Sequence, residues 1–81
     1  MSDKLKVKIV APDKILYDGE ADYVAYPIES GERAVLPGHT RLIATLGQGD
    51  VRVKNDKKEE RFPVSKGLIK INRTHLSLLV S

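Results

Sequence analysis

The chain has 81 residues, 41% hydrophobic and 31% charged, with a formal net charge of +3 and no cysteine. That length makes one domain, and that balance is globular rather than disordered. Disulfide staples and thiolate metal sites are excluded, so apolar packing or a partner must hold a domain that buries only about 60% of its unfolded surface.

Period-two alternation begins at once. Leu5, Val7 and Ile9 point one way and Lys4, Lys6 and Lys8 the other, as in a half-buried strand. Pro12, in Ala11-Pro12-Asp13-Lys14, ends that strand because proline cannot donate to a ladder. Ile15-Leu16-Tyr17 is a short apolar run, and the dipeptide Asp18-Gly19 is expected to close it with a turn. Ala21 to Ile28 reads as one longer strand, apolar on both faces apart from Asp22, which predicts a central or covered position.

Glu29-Ser30-Gly31 predicts a turn, Arg33 to Leu36 a short strand and Pro37-Gly38 a break. Arg41 to Leu46 extends again until Gly47-Gln48-Gly49 reverses it, and Asp50 to Lys54 alternates with Val51 and Val53 inward. Asn55 to Lys58 is a polar hairpin tip, from which Glu59 to Val64 returns with Phe62 and Val64 inward. Ser65-Lys66-Gly67 turns into Leu68 to Ile71. Asn72-Arg73-Thr74 makes the last hairpin, and His75 to Val80 closes the chain with Leu76, Leu78 and Val80 on one face.

The expected fold is therefore all-β: a single domain over residues 1–81, a flattened antiparallel sandwich or barrel of about eight to ten short strands. Tyr23, Tyr26 and Leu79 are apolar side chains beyond the needs of one core, which suggests a face covered by a partner. No apolar run reaches the roughly 20 residues of a membrane span, and Met-Ser-Asp-Lys does not open a signal peptide. The expectation is a soluble, cytosolic domain.

Little in the sequence suggests chemistry. His39 and His75 lie in different hairpins, with no nucleophile and orienting group converging on either, and no ligand set at metal spacing. Gly47-Gln48-Gly49 lacks the following helix of an anion site. The net charge of +3 leaves a small basic β-barrel for nucleic acid as the alternative, although one Phe, three Tyr and no Trp supply few stacking platforms. Neither a catalytic residue nor a cofactor is expected.

Three ordered segments carry a resemblance. Val10-Ala11-Pro12-Asp13-Lys14-Ile15-Leu16-Tyr17-Asp18-Gly19-Glu20 is similar to a V-x-P-[E/D]-x-x-L-Y-x-G-E opening, and Gly31-Glu32 with Val35-Leu36-Pro37-Gly38-His39 and Leu42 to a G-E-x-G-[IV]-L-P-G-H-x-P-L stretch. Val64-Ser65-Lys66-Gly67 is similar to a V-S-G-G turn. Together they resemble the N-terminal β-sandwich domain of the epsilon subunit of F-type ATP synthases, nearly end to end.

The resemblance implies a non-catalytic rotor subunit at the foot of the central stalk, on the cytoplasmic face of the cell membrane. It would bind the gamma subunit and rest on the polar loops of the membrane c-ring. It places Glu29, Ser30, Gly31 and Glu32 against the c-ring loops, and His39 at the gamma-facing or c-facing rim. Arg33, Ala34, Thr40 and Arg41 depart from the family pattern beside that contact, and Lys66 replaces a glycine, which argues against a required positive φ there. Many family members continue into a C-terminal helical hairpin where this sequence stops, at Ser81. The expectation is a natural short form, with a trimmed chain as the other explanation.

Overall fold

The computed structural model describes residues 4–38 and 41–81. Nine strands run through them: β1 (Leu5–Ala11), β2 (Lys14–Ala21), β3 (Tyr23–Ile28), β4 (Gly31–Val35), β5 (Leu42–Leu46), β6 (Gly49–Asn55), β7 (Lys58–Val64), β8 (Gly67–Asn72) and β9 (His75–Val80). They make a five-stranded sheet in the order β2-β1-β9-β8-β5 and a four-stranded sheet in the order β4-β3-β6-β7.

This is the all-β sandwich that the alternation predicts. Leu5, Val7, Ile9, Ile69, Ile71, Leu76 and Leu78 of the larger sheet pack against Val24, Tyr26, Val35, Val51 and Val53 of the smaller one. All are at most 2% exposed, so these side chains are excluded from water almost completely, while Tyr17, Leu42, Ala44 and Phe62 on the edge strands β2, β5 and β7 are only partly buried. Burying a side chain of this size stabilises by about 1.5–3 kcal/mol. At one side of the sandwich Tyr17 of β2 meets Phe62 of β7 edge to face, ring centroids 6.1 Å apart. At the other, the amide of Gly47 donates to the Pro27 carbonyl at 2.9 Å. A Cβ on Gly47 would come within 2.9 Å of the Ile28 backbone, which requires glycine there.

Three local expectations change. Asp18-Gly19 is not a turn. Both residues continue the β1–β2 ladder, opposite Lys8 and Val7, and the chain reverses instead at Pro12 and Asp13. Gly19 provides a seat: the Tyr17 ring lies 3.5–3.6 Å from where its Cβ would be, and the Tyr17 hydroxyl donates to the Glu20 carbonyl at 2.7 Å. Nor is Ala21 to Ile28 one strand, because the chain leaves the larger sheet at Ala21 and enters the smaller one at Tyr23. The predicted central position does hold for β3, which lies between β4 and β6. The third change concerns direction. β1 and β9 run parallel, side by side within the larger sheet, while the remaining pairings are antiparallel. Alternation reports the face that a residue takes, not the direction of its neighbour.

Asp22 makes the corner between the sheets. Its amide donates to the Lys54 carbonyl at 2.7 Å, and its carboxylate accepts the Asp56 amide at 2.6 Å. Lys4 reaches Asp22 at 3.3 Å and Asp56 at 3.2 Å, and also donates to Asn55. The Asp56 amide is the chief reason that the Asp22 carboxyl is held below its ordinary value of 3.8, with burial opposing and Lys4 adding to it. A carboxyl lowered on folding stabilises fully above its ordinary pKa, and that contribution is lost as pH falls through the lower folded-state value. Asp22→Asn is therefore expected to lower the melting temperature at neutral pH. The gap to wild type should shrink as pH falls below the ordinary carboxyl value of 3.8 and close once pH lies below the lowered folded-state value, read by thermal melts across an acid series. A gap independent of pH would remove the carboxylate charge from the corner's stability.

Candidate interaction surfaces

The β3–β4 hairpin turns on Glu29 and Ser30, both exposed, with Ile28 paired to Gly31. Gly31 has φ of 146°, a conformation that side-chain-bearing residues rarely adopt, and its missing Cβ faces open space. Backbone conformation, not room, requires glycine there. Glu29, Ser30 and Gly31 thus form an exposed polar tip, as the sequence suggests.

Glu32 is not a free acceptor at that tip. The Arg52 Nη2 donates to its Oε1 at 2.7 Å and Nε to its Oε2 at 3.3 Å. Glu32 lies beside Pro27 and Arg52 beside Ala25, so the pair reaches from β4 to β6 over the intervening β3. Ala25 and Pro27 are buried beneath that outer face. The hydrogen bond and charge of Glu32 hold the Arg52 guanidinium above its ordinary value. Arg52 also lies 3.5 Å from Glu59, and Arg61 lies 3.6 Å from Glu59 and 3.9 Å from Asp50. Charges of alternating sign cross the smaller sheet from β4 to β7. Solvent screening limits what such pairs add to stability, but they fix the direction of each side chain. Alternation places Arg52 outward; its reach over β3 needs the strand order. His39 lies outside the described residues.

A second surface forms on the outer face of the larger sheet. Ile15 pairs with Val10, Val10 with Leu79, and Leu79 with Leu68. Residues in register project to one face, so these four side chains make an apolar row across β2, β1, β9 and β8, reaching Thr45 on β5. Ile15 is 55% exposed, Leu79 56% and Leu68 44%. The next row along the strands holds Asp18, Lys8, Ser77, Lys70 and Ile43, and the one after it Glu20, Lys6, His75 and Asn72. No Phe or Tyr lies in these rows, and His75, beside Lys6, is the one ring in them on which a nucleic-acid base could stack.

Of the three apolar residues singled out from the sequence, Leu79 sits in the middle of this row. Tyr26 is 2% exposed and belongs to the core, because it alternates with the outward Ala25. Tyr23 is half-buried on the outer face of the smaller sheet. Sequence reasoning misses Ile15 and Leu68 because each is the lone apolar residue on the outer face of its own strand. Pairing register alone lines them up.

The family model for the β-sandwich domain of the ATP synthase delta/epsilon chain matches residues 4–81. The ATP synthase epsilon chain of Leptospira interrogans is 37% identical over 96% of this chain and 61% of its own length. That of Bacillus licheniformis is 40% identical over 93% of this chain and 57% of its own. The chain thus spans well under the full length of either relative. A chain in the mitochondrial ATP synthase assembly of Euglena gracilis, resolved with OSCP, F1 and the c-ring, matches with a TM-score of 0.88 at 18% identity. The match covers 95% of this chain and 50% of that one, and indicates a shared fold.

Proposed function

Because the chain belongs to the ATP synthase delta/epsilon family, as its β-sandwich domain, we propose that it is a non-catalytic central-stalk component that links the gamma subunit to the membrane c-ring. It then helps couple ion translocation to ATP synthesis or hydrolysis, at the cytoplasmic face of the cell membrane and without an active site of its own. The observation that carries this reading is the apolar row Ile15, Val10, Leu79 and Leu68, exposed at every position but the half-buried Val10. A domain whose core is already full gains nothing by displaying such a row to water, whereas a partner gains binding energy by covering it. That face is assigned to gamma, and the polar tip Glu29-Ser30-Gly31 with Glu32 to the c-ring loops.

Co-purification with cognate gamma and c-ring tests the assignment: a stable complex at micromolar concentration is expected, and its absence would sink the reading. The role of Glu32 needs a sharper experiment, since Arg52 already holds its carboxylate. Glu32→Gln is expected to impair coupled proton pumping in the assembled enzyme while leaving the fold intact. The exchange Glu32→Arg with Arg52→Glu restores the internal pair but moves the carboxylate from β4 to β6. If Glu32 touches a c loop, the exchange fails to rescue pumping. Full rescue would reduce Glu32 to a brace for the sheet.

A further inference from the structure

We propose that the segment of the stalk partner seated on the larger sheet carries a carboxylate beside its apolar residues, and that this carboxylate docks between Lys8 and Lys70 over Ser77. This rests on the reading of that face as the partner site, and adds the chemistry that the partner must bring.

Ser77 pairs with Lys8 on one side and Lys70 on the other. The two lysines therefore stand two strand spacings apart, roughly 10 Å between their Cα atoms, with the serine between them. Their flexible stems let both ammonium groups converge on a single oxyanion, and the exposed Ser77 hydroxyl adds a third donor. Among the described residues Lys4, Arg52 and Arg61 are each held by two carboxylates within 4.0 Å, while the other basic side chains lie open to solvent. Among the described residues neither Lys8 nor Lys70 has such a partner. Asp18 is the one carboxylate in their row, opposite Lys8 and away from Lys70, whose neighbours are Ser77 and Ile43.

Covering the apolar row decides the sign of the partner. The lysine row lies one side-chain repeat from it, about 7 Å along the strands. A partner that buries Leu79 and Leu68 therefore strips water from the ammonium groups beside them. Desolvated cations left unpaired oppose binding, so the occupant must supply negative charge at that spot. A charge-assisted contact with two ammonium groups is stronger than a neutral one and fixes the lateral register of the docked segment.

Titration of the chain against isolated cognate gamma across a salt series tests this. Wild type is expected to bind with an affinity that falls as salt rises. Lys8→Gln with Lys70→Gln is expected to weaken binding at low salt by about tenfold or more and to flatten the salt dependence. Both positions are exposed, so an unchanged thermal melt separates this loss from unfolding. If the double variant binds like wild type at every salt while Leu79→Asp still abolishes binding, the carboxylate is overturned and the partner reading stands. No binding by wild type overturns both. A dimer of this chain that the double variant dissolves, or preference for phosphatidylglycerol vesicles over gamma, overturns the acidic protein partner.

Discussion

Gly67→Ala is expected to cost the domain most of its stability. An added Cβ would stand 2.2 Å from the Leu79 carbonyl oxygen, and 3.1 Å from both the Leu46 Cδ1 and the Val80 Cα. The nearest of these atoms is backbone, and it belongs to the β8–β9 ladder in which Gly67 pairs with Val80 and Leu68 with Leu79. No rotamer change relieves that contact, so one strand must move away from the other. β5 pairs to Gly67 from the opposite side, through Leu46, and resists the same shift. Overpacking usually costs 1–3 kcal/mol, and a clash with central backbone belongs at or above about 3 kcal/mol. A domain of this size has about 4–12 kcal/mol in total. With each kcal/mol worth about 4–8 °C, the melting temperature should fall by roughly 15 °C or more, or the variant should not fold. A circular dichroism melt checks it. A fall of only a few degrees would show that the ladder opens at little cost. Lys66, one residue earlier, is exposed and is not among the residues with positive φ, as its lysine implied.

Leu79→Asp is expected to separate binding from folding. Leu79 is 56% exposed and stands between Val10 and Leu68 in the apolar row, while its neighbours in sequence, Leu78 and Val80, are 0% and 6% exposed. A carboxylate there removes no core contact. Its cost to the fold is the lower strand preference of aspartate, at most about 1 kcal/mol. In a complex it places an unpaired charge at the centre of the covered patch, where such changes cost about 2–4 kcal/mol, or roughly 30- to 1,000-fold in affinity. Binding to gamma, followed by calorimetry beside a thermal melt, should collapse while the melting temperature drops by only a few degrees. Leu78→Asp is the control, since it buries the charge in the core and should prevent folding. Retained affinity in Leu79→Asp would remove this face from the gamma contact.

Much of the fold was legible from residue pattern. Leu5-Val7-Ile9 and Leu76-Leu78-Val80 mark their inward faces without help from the rest of the chain, and both sets are buried. Glycine and proline were ambiguous guides. Pro37-Gly38 does end a strand, yet Asp18-Gly19 stays inside one, because a glycine can provide room for a ring as readily as a turn. Asp22 shows a similar limit. A polar residue in an apolar run reads as an interruption, but only its contacts with Lys4, Lys54 and Asp56 reveal a change of sheet.

The candidate surfaces divide along the same line. The polar tip at Glu29-Ser30-Gly31 was readable because a turn is local, made by neighbours in sequence. The capture of Glu32 by Arg52 was not, since it depends on β4 and β6 flanking β3. By itself the sequence determined which side chains face inward, where most turns fall and which family the chain resembles, because a strand's two-residue period and a turn's backbone demands act over a few residues. Only the tertiary structure decided that Val10 lies beside Leu79, that outward apolar residues from four strands form one row, and that Lys8 and Lys70 flank Ser77. Those neighbours come from distant parts of the chain. The hydrogen-bonded register that brings them together is set by packing of the whole sandwich, which no local window of residues contains.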